Sequence, residues 1–247
     1  MRVNFIGLGA IGLPMAMRIR GAGHAVVGMD VMPAACANAE AEGIEAVGAI
    51  ADLPAAEAVV VMVATPEQLE KLIDEAIASA TQCRGYWVIM STVGPASVRA
   101  QGARLRSAGA RVVDAPVTGG VARARTGQLV IFGAGASADL EAVRPVLEAI
   151  GHVRATGEDL GNGQAIKVVN QHLCSVHLVA AAEALSLSRS LGLDPRRVLE
   201  LIEKGAGGSW MLSDRGPRML EDTDVEVTSS VNIFVKDSVL VAEAAQS

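Results

Sequence analysis

The chain of 247 residues suffices for one large domain or two modest ones, and 51% apolar with 19% charged residues is the balance of a globular protein. A net charge of −6 without a basic cluster excludes the electrostatic footprint of a nucleic-acid binder. Cys36, Cys83 and Cys174 lie far apart with no CxxC pair or His/Cys cluster, so no metal site is expected and the thiols read as reduced.

The N-terminal apolar stretch is interrupted by glycines and carries no small-residue cleavage site, and no apolar run reaches the length of a membrane span. A cytoplasmic protein without membrane contact is expected. Through the first 160 residues, short apolar runs alternate with Ala-rich, helix-compatible stretches. The period predicts strands over Val3–Ile6, Ala25–Asp30, Ala58–Val63, Trp87–Ser91, Arg111–Asp114 and Leu129–Phe132. Runs such as VVVMVA are continuously apolar, as in parallel strands covered on both faces. The fold class is therefore α/β, with a doubly wound sheet.

Between the first two strands lies Gly7-Leu8-Gly9-Ala10-Ile11-Gly12, directly after VNFI and at the start of a helical stretch. In that setting a GxGxxG turn binds a dinucleotide. Gly7 permits the tight turn, Gly9 lets backbone approach a pyrophosphate, and Gly12 lets helix and strand pack closely. The helix N-terminus supplies N–H donors. Asp30 ends the second strand, where such folds place the acid that binds ribose hydroxyls, and a carboxylate there repels an extra phosphate. No Lys or Arg occurs between Asp30 and Glu40, so NAD is preferred to NADP.

Further along, Asp114-Ala115-Pro116-Val117-Thr118-Gly119-Gly120 follows a strand. It reads either as a plain turn or as a cradle, with the Thr118 hydroxyl and the N–H groups of Gly119 and Gly120 suited to a carboxylate. Near Gly157–Gly163 the pattern changes, giving an NAD-binding domain over 1–160 and a helical domain over 161–247. The latter opens with a helix from Gln164 to about Leu191, apolar on nearly all sides and expected to be buried. Lys167, Asn170, Gln171 and His177 share an arc of roughly 120° on it. Lys167 is either a buried lysine able to exchange a proton with a hydroxyl or one reaching solvent along its stem. Asp194 is placed as N-cap of a following helix with Pro195 at its first position, and the remainder reads as largely helical.

Together GLGAIGLPMA at 7–16, STV at 91–93, DAPVTGG at 114–120, GNGQAIKVVNQ at 161–171 and FVKD at 234–237 resemble the β-hydroxyacid dehydrogenase family. Gln171, Val176-His177, Gly208-Ser209-Trp210-Met211 and the run 231–237 look like its branch acting on four-carbon sugar acids. The resemblance implies that Lys167 is the catalytic acid/base and that Thr118, Gly119 and Gly120 hold the substrate carboxylate. It also implies that Gln171 contacts substrate, Thr92 lies near the nicotinamide and Lys236 approaches the cofactor. The implied reaction passes a hydride from a carbinol carbon to NAD while Lys167 takes the hydroxyl proton, with no metal. Most of the family has Asn where this chain has Gln171, which favours a sugar acid over 3-hydroxyisobutyrate. The implied alternatives are 3-hydroxyisobutyrate dehydrogenase, tartronate semialdehyde reductase and a noncatalytic dinucleotide-binding module; imine reductases generally lack the lysine. The family also implies a homodimer or homotetramer, and further helices beyond the equivalent of Ala245, so the helical domain reads as truncated.

Overall fold

A computed structural model describes residues 1–79, 83–221 and 231–246. The chain divides into two compact units: Met1–Val168 together with the C-terminal residues from Glu243, and Val169–Ala242.

The first unit starts β1 (Arg2–Ile6), α1 (Gly12–Gly21), β2 (Ala25–Met29), α2 (Pro33–Ala41), β3 (Glu45–Val47), β4 (Ala58–Val61), α3 (Pro66–Ser79), β5 (Tyr86–Ile89), α4 (Pro95–Ser107) and β6 (Arg111–Asp114). These strands form one parallel sheet of six in the order β3-β2-β1-β4-β5-β6. The strand order reverses at β1, so the turn after β1 opens at the topological switch point where such sheets bind ligands. All four residues of β4 are buried. Ala58 and Val60 join one apolar cluster with Phe5, Met15 and Ile19, while Val59 and Val61 join another with Leu69, Ile73 and Trp87. Alternate side chains thus enter opposite layers, which is why the strand tolerates no polar position.

The unit continues with β7 (Val117–Thr118), α5 (Gly120–Thr126), β8 (Leu129–Gly133), α6 (Ser137–Glu148) and β9 (Gly151–Ala155), and with the start of α7 (Asn162–Ser190). Here β7 and β8 pair antiparallel and β8 and β9 parallel, in a separate sheet of three strands. The six predicted strands are all present, while β3, β7 and β9 were not predicted. Three strands, β2, β4 and β5, stop short of their predicted ends, so Asp30 lies one residue beyond β2 rather than inside it.

The second unit carries the rest of α7, then α8 (Pro195–Ile202), α9 (Trp210–Met219) and α10 (Val231–Gln246). Its core joins Ala181, Leu185, Leu199 and Leu212. As read from the sequence, Asp194 caps α8, its carboxylate accepting from Arg196 N at 3.1 Å, with Pro195 at the first position. The predicted helicity of the remainder holds for α9 and α10, and its stretch 222–230 lies outside the described residues. One expectation fails: α7 is not buried all round. Ile166, Val169, Leu173, Val176, Val179 and Leu187 are exposed. Its apolar residues outnumber the positions that the described part of the chain covers, so a helix apolar on nearly every side keeps one apolar stripe that the described residues leave uncovered. Among the described residues no helix is long and apolar enough to cross a membrane, and no His/Cys/Asp/Glu group could hold a metal.

Candidate active site

The glycine turn is built from three different requirements. Gly7 has φ 94°, and a Cβ there would overlap the Met62 carbonyl oxygen. At Gly12 a Cβ would overlap the Gly7 carbonyl oxygen and lie 3.1 Å from the Phe5 ring. Gly9 differs: among the described residues nothing lies within 4 Å of its notional Cβ. Folding needs the first and third glycines; the open space at the second suits a ligand pressed against the backbone. No side chain caps α1; Leu13 N donates to Gly9 O and Pro14 has no N–H, so the Gly12 N–H and those of the turn before it are the ones that can face phosphate oxygens. These residues fit a dinucleotide.

Asp30 completes this edge. Its Oδ2 accepts from Leu8 N at 2.8 Å, and Oδ1 accepts from Met32 N at 2.9 Å. The carboxylate is thereby oriented by the glycine turn, with lone pairs remaining for ribose hydroxyls. The following Val31 and Met32 are exposed and apolar, so this edge offers no cation to an extra phosphate.

Thr92 follows β5 in the loop before α4. Thr118 ends β7, paired opposite Val130. Gly119 and Gly120 have φ values of 133° and 67° and lead directly into α5. Those angles favour glycine, and a Cβ at Gly119 would lie 2.7 Å from Arg123 Cδ. The turn therefore has glycine for its own conformation, whatever it binds.

Lys167, in the second turn of α7, is only 6% exposed. Of the two sequence alternatives, the solvent-reaching stem is excluded. It shares the first unit with the glycine turn, Asp30, Thr92 and the 118–120 turn. Gln171 and Lys236 belong to the second unit, where a buried Asp237 links them. Gln171 Nε2 donates to Asp237 Oδ2, and Asn170 Nδ2 donates to Gln171 Oε1 at 2.9 Å. Lys236 Nζ lies 2.9 Å from Asp237 Oδ1 as an ion contact without hydrogen-bond geometry.

Sequence reasoning named no role for Asp114, Gln164 or Asp237. Asp114 ends the apolar run Val112-Val113, a signal that could have singled it out; Gln164, after Gly-Asn-Gly, and Asp237, between Lys236 and Ser238, carry no such signal. Asp114 is fully buried. Its Oδ2 accepts from Gly161 N and Gln164 N at 3.0 and 3.1 Å, and its Oδ1 from Gln164 Nε2 at 3.1 Å. Burial pushes its pKa up to about 6, and the hydrogen bonds from Gln164, Gly161 and Gly163 oppose that shift only in part. Between pH 4 and 6 the folded chain therefore holds a proton that the unfolded chain has released. Stability contributed by this group is present below pH 4 and falls as pH rises to about 6, by about 3 kcal/mol at most. Denaturation midpoints across pH 4–7 should show that fall in the wild type and lose it in Asp114→Asn. Parallel profiles would refute the assignment.

A family model described as the NAD binding domain of 6-phosphogluconate dehydrogenase matches residues 2–166, and one described as NAD-binding of NADP-dependent 3-hydroxyisobutyrate dehydrogenase matches 161–247. The L-threonate dehydrogenase of Cupriavidus necator is 35% identical over 99% of this chain and 83% of its own length. The NAD-dependent L-serine dehydrogenase of Pseudomonas aeruginosa is 32% identical over 100% of this chain and 86% of its own. A crystal structure of 3-hydroxyisobutyrate dehydrogenase from Salmonella typhimurium superposes with a TM-score of 0.89 at 31% identity, covering 100% of this chain and 87% of that one. A parallel sheet with a glycine turn at its switch point is common to many nucleotide binders, but matches to both the sheet and the helical segment are not. The chain belongs to the β-hydroxyacid dehydrogenase family, near its L-threonate branch, and is an NAD-dependent oxidoreductase of hydroxy acids.

Proposed function

We propose that this protein oxidises a four-carbon sugar acid such as L-threonate or D-erythronate, with Lys167 as the acid/base. The observation that carries the reading is a lysine enclosed to 6% exposure in the unit that also bears the glycine turn. Buried lysines without a chemical role are rare. NAD supplies the hydride acceptor when bound. The chain supplies position and proton handling. The Lys167 amine accepts the proton of the substrate hydroxyl, and in the opposite direction returns it to a carbonyl oxygen. The Thr118 hydroxyl and the N–H groups of Gly119 and Gly120 orient the substrate carboxylate, and Gln171, steadied by Asp237, contacts its hydroxyl-bearing end. Thr92 borders the nicotinamide, Lys236 approaches the cofactor, and Asp30 takes the ribose hydroxyls.

The family resemblance implies Asn at the position of Gln171 in most members, and the longer side chain here supports a sugar acid over 3-hydroxyisobutyrate. A noncatalytic binding module is the contrasting reading, and retention of an enclosed Lys167 speaks against it. The test is NADH formation with L-threonate, D-erythronate, 3-hydroxyisobutyrate, glycerate and L-serine. Turnover should be greatest with one of the four-carbon acids. NAD binding without oxidation of any of them would favour the module. In the same assay Asp30→Ala should narrow the NAD-over-NADP preference by about tenfold or more, since a charge-assisted hydrogen bond to the ribose is lost. An unaltered preference would remove Asp30 from the cofactor site.

A further inference from the structure

Gln164 is fully buried, and both ends of its amide are engaged. Its Oε1 accepts from Val93 N at 3.0 Å and Gly94 N at 3.1 Å. Its Nε2 donates to Ser91 O at 2.9 Å and to Asp114 Oδ1 at 3.1 Å. Asp114 in turn receives Gly161 N and Gln164 N from the start of α7. One amide and one carboxylate therefore join three segments of the same unit. These are the loop holding Thr92, the end of β6 that leads to Thr118, and the first turn of α7, three residues before Lys167.

We propose that Asp114 and Gln164 form a positioning clamp that sets the rotation and register of α7 so that Lys167 meets Thr92 and the 118–120 turn in one fixed geometry. The proposal rests on the reading of Lys167 as acid/base. Apolar packing could hold the same segments together but would accept small slips. Directional bonds to five backbone groups allow one register, and a slip of one residue along the helix turns Lys167 by about 100°. A misplacement of about 1 Å at a reacting centre costs about 10²-fold in rate. An apolar replacement at 164 would also strand Ser91 O, Val93 N and Gly94 N without partners in a dry interior.

A donor–acceptor swap tests the clamp. Gln164→Glu places a carboxylate against Asp114, and Asp114→Asn places an amide nitrogen against the Gln164 amide nitrogen. The double variant restores the pair with donor and acceptor exchanged, while a carboxylate oxygen now faces Ser91 O where an N–H donated to it. Three readouts are needed: hydrogen exchange in the peptide over 161–170, NADH affinity by fluorescence, and kcat with the acid oxidised fastest in the screen above. Each single variant should exchange at least about tenfold faster in that peptide and lose about 10²-fold in kcat, with NADH affinity within about threefold. The double variant should recover part of both losses, the contact with Ser91 O remaining unfavourable. Where the charged variants do not fold, Gln164→Met, close in volume, should show the same fall in kcat with KM for NAD retained. Wild-type exchange and kcat in the single variants, or a double variant no better than the worse single, overturns the clamp. So does wild-type kcat in Gln164→Met. If Lys167→Ala is inactive while the clamp variants turn over normally, only the clamp fails. If Lys167→Ala turns over normally, the reading beneath it fails as well.

Discussion

Lys167→Ala is expected to lower turnover by about 10²- to 10⁴-fold while NADH binds within a few-fold of wild type. The asymmetry follows from where the lysine sits. In the proposed reading the cofactor meets the glycine turn and Asp30, tied to each other through Leu8 N, with Thr92 and Lys236 beside it, and none of these is an α7 side chain. Truncation leaves those groups in place and removes the proton acceptor. An enclosed lysine also contributes packing through its stem, so thermal unfolding must be followed in parallel. A loss of turnover explained wholly by unfolding would leave the residual specific activity of the folded fraction unchanged. Small primary amines added to the variant should restore part of the rate, since the truncated side chain leaves room for one. Wild-type turnover in the folded variant removes Lys167 from the chemistry.

Gly163→Ala is expected to destabilise the protein by about 3 kcal/mol or more, or to prevent soluble expression. Helix propensity argues the other way, because alanine in place of glycine inside a helix gains about 1 kcal/mol. Space decides the sign. A Cβ at 163 would overlap the Phe132 carbonyl oxygen and lie 3.0 Å from both Asp114 Oδ2 and Pro116 Cδ. Two of these are backbone and ring atoms that cannot swing aside, and the third is a buried carboxylate held by hydrogen bonds. The first turn of α7 would have to move away from β8 and from the end of β6. Gly207→Ala, where nothing lies within 4 Å, is the control. Equal stability of the two variants would show that α7 can shift at little cost.

Much of this was readable from the chain alone, for definite reasons. Continuous apolar runs such as AVVV announce a strand covered on both faces, and glycines spaced by a turn announce the switch-point loop. Short edge strands carry no such signal. Among the described residues β3, Glu45-Ala46-Val47, pairs with β2 alone, and β7 is two residues inside a segment that reads as a turn. The start of α7 was placed two residues late because Gly161, at φ 93°, ends the loop and Asn162 already begins the helix. The site residues with distinctive chemistry, Lys167 and Asp30, stood out by type. Asp114 and Gln164 did not, since their importance lies in which backbone groups they meet, and those come from segments 47 to 73 residues away in the chain.

The unequal surroundings of the three N-terminal glycines also bear on how such a chain would drift if its chemistry were no longer under selection. Substitution at 7 or 12 collides with the protein's own backbone and would be purged in any lineage that still needs a folded product. At 9 the polypeptide raises no objection, and only an incoming ligand does. The middle glycine is thus a sentinel: its retention in a homologue reports continued use of the nucleotide, whereas retention of the outer pair reports no more than an intact architecture.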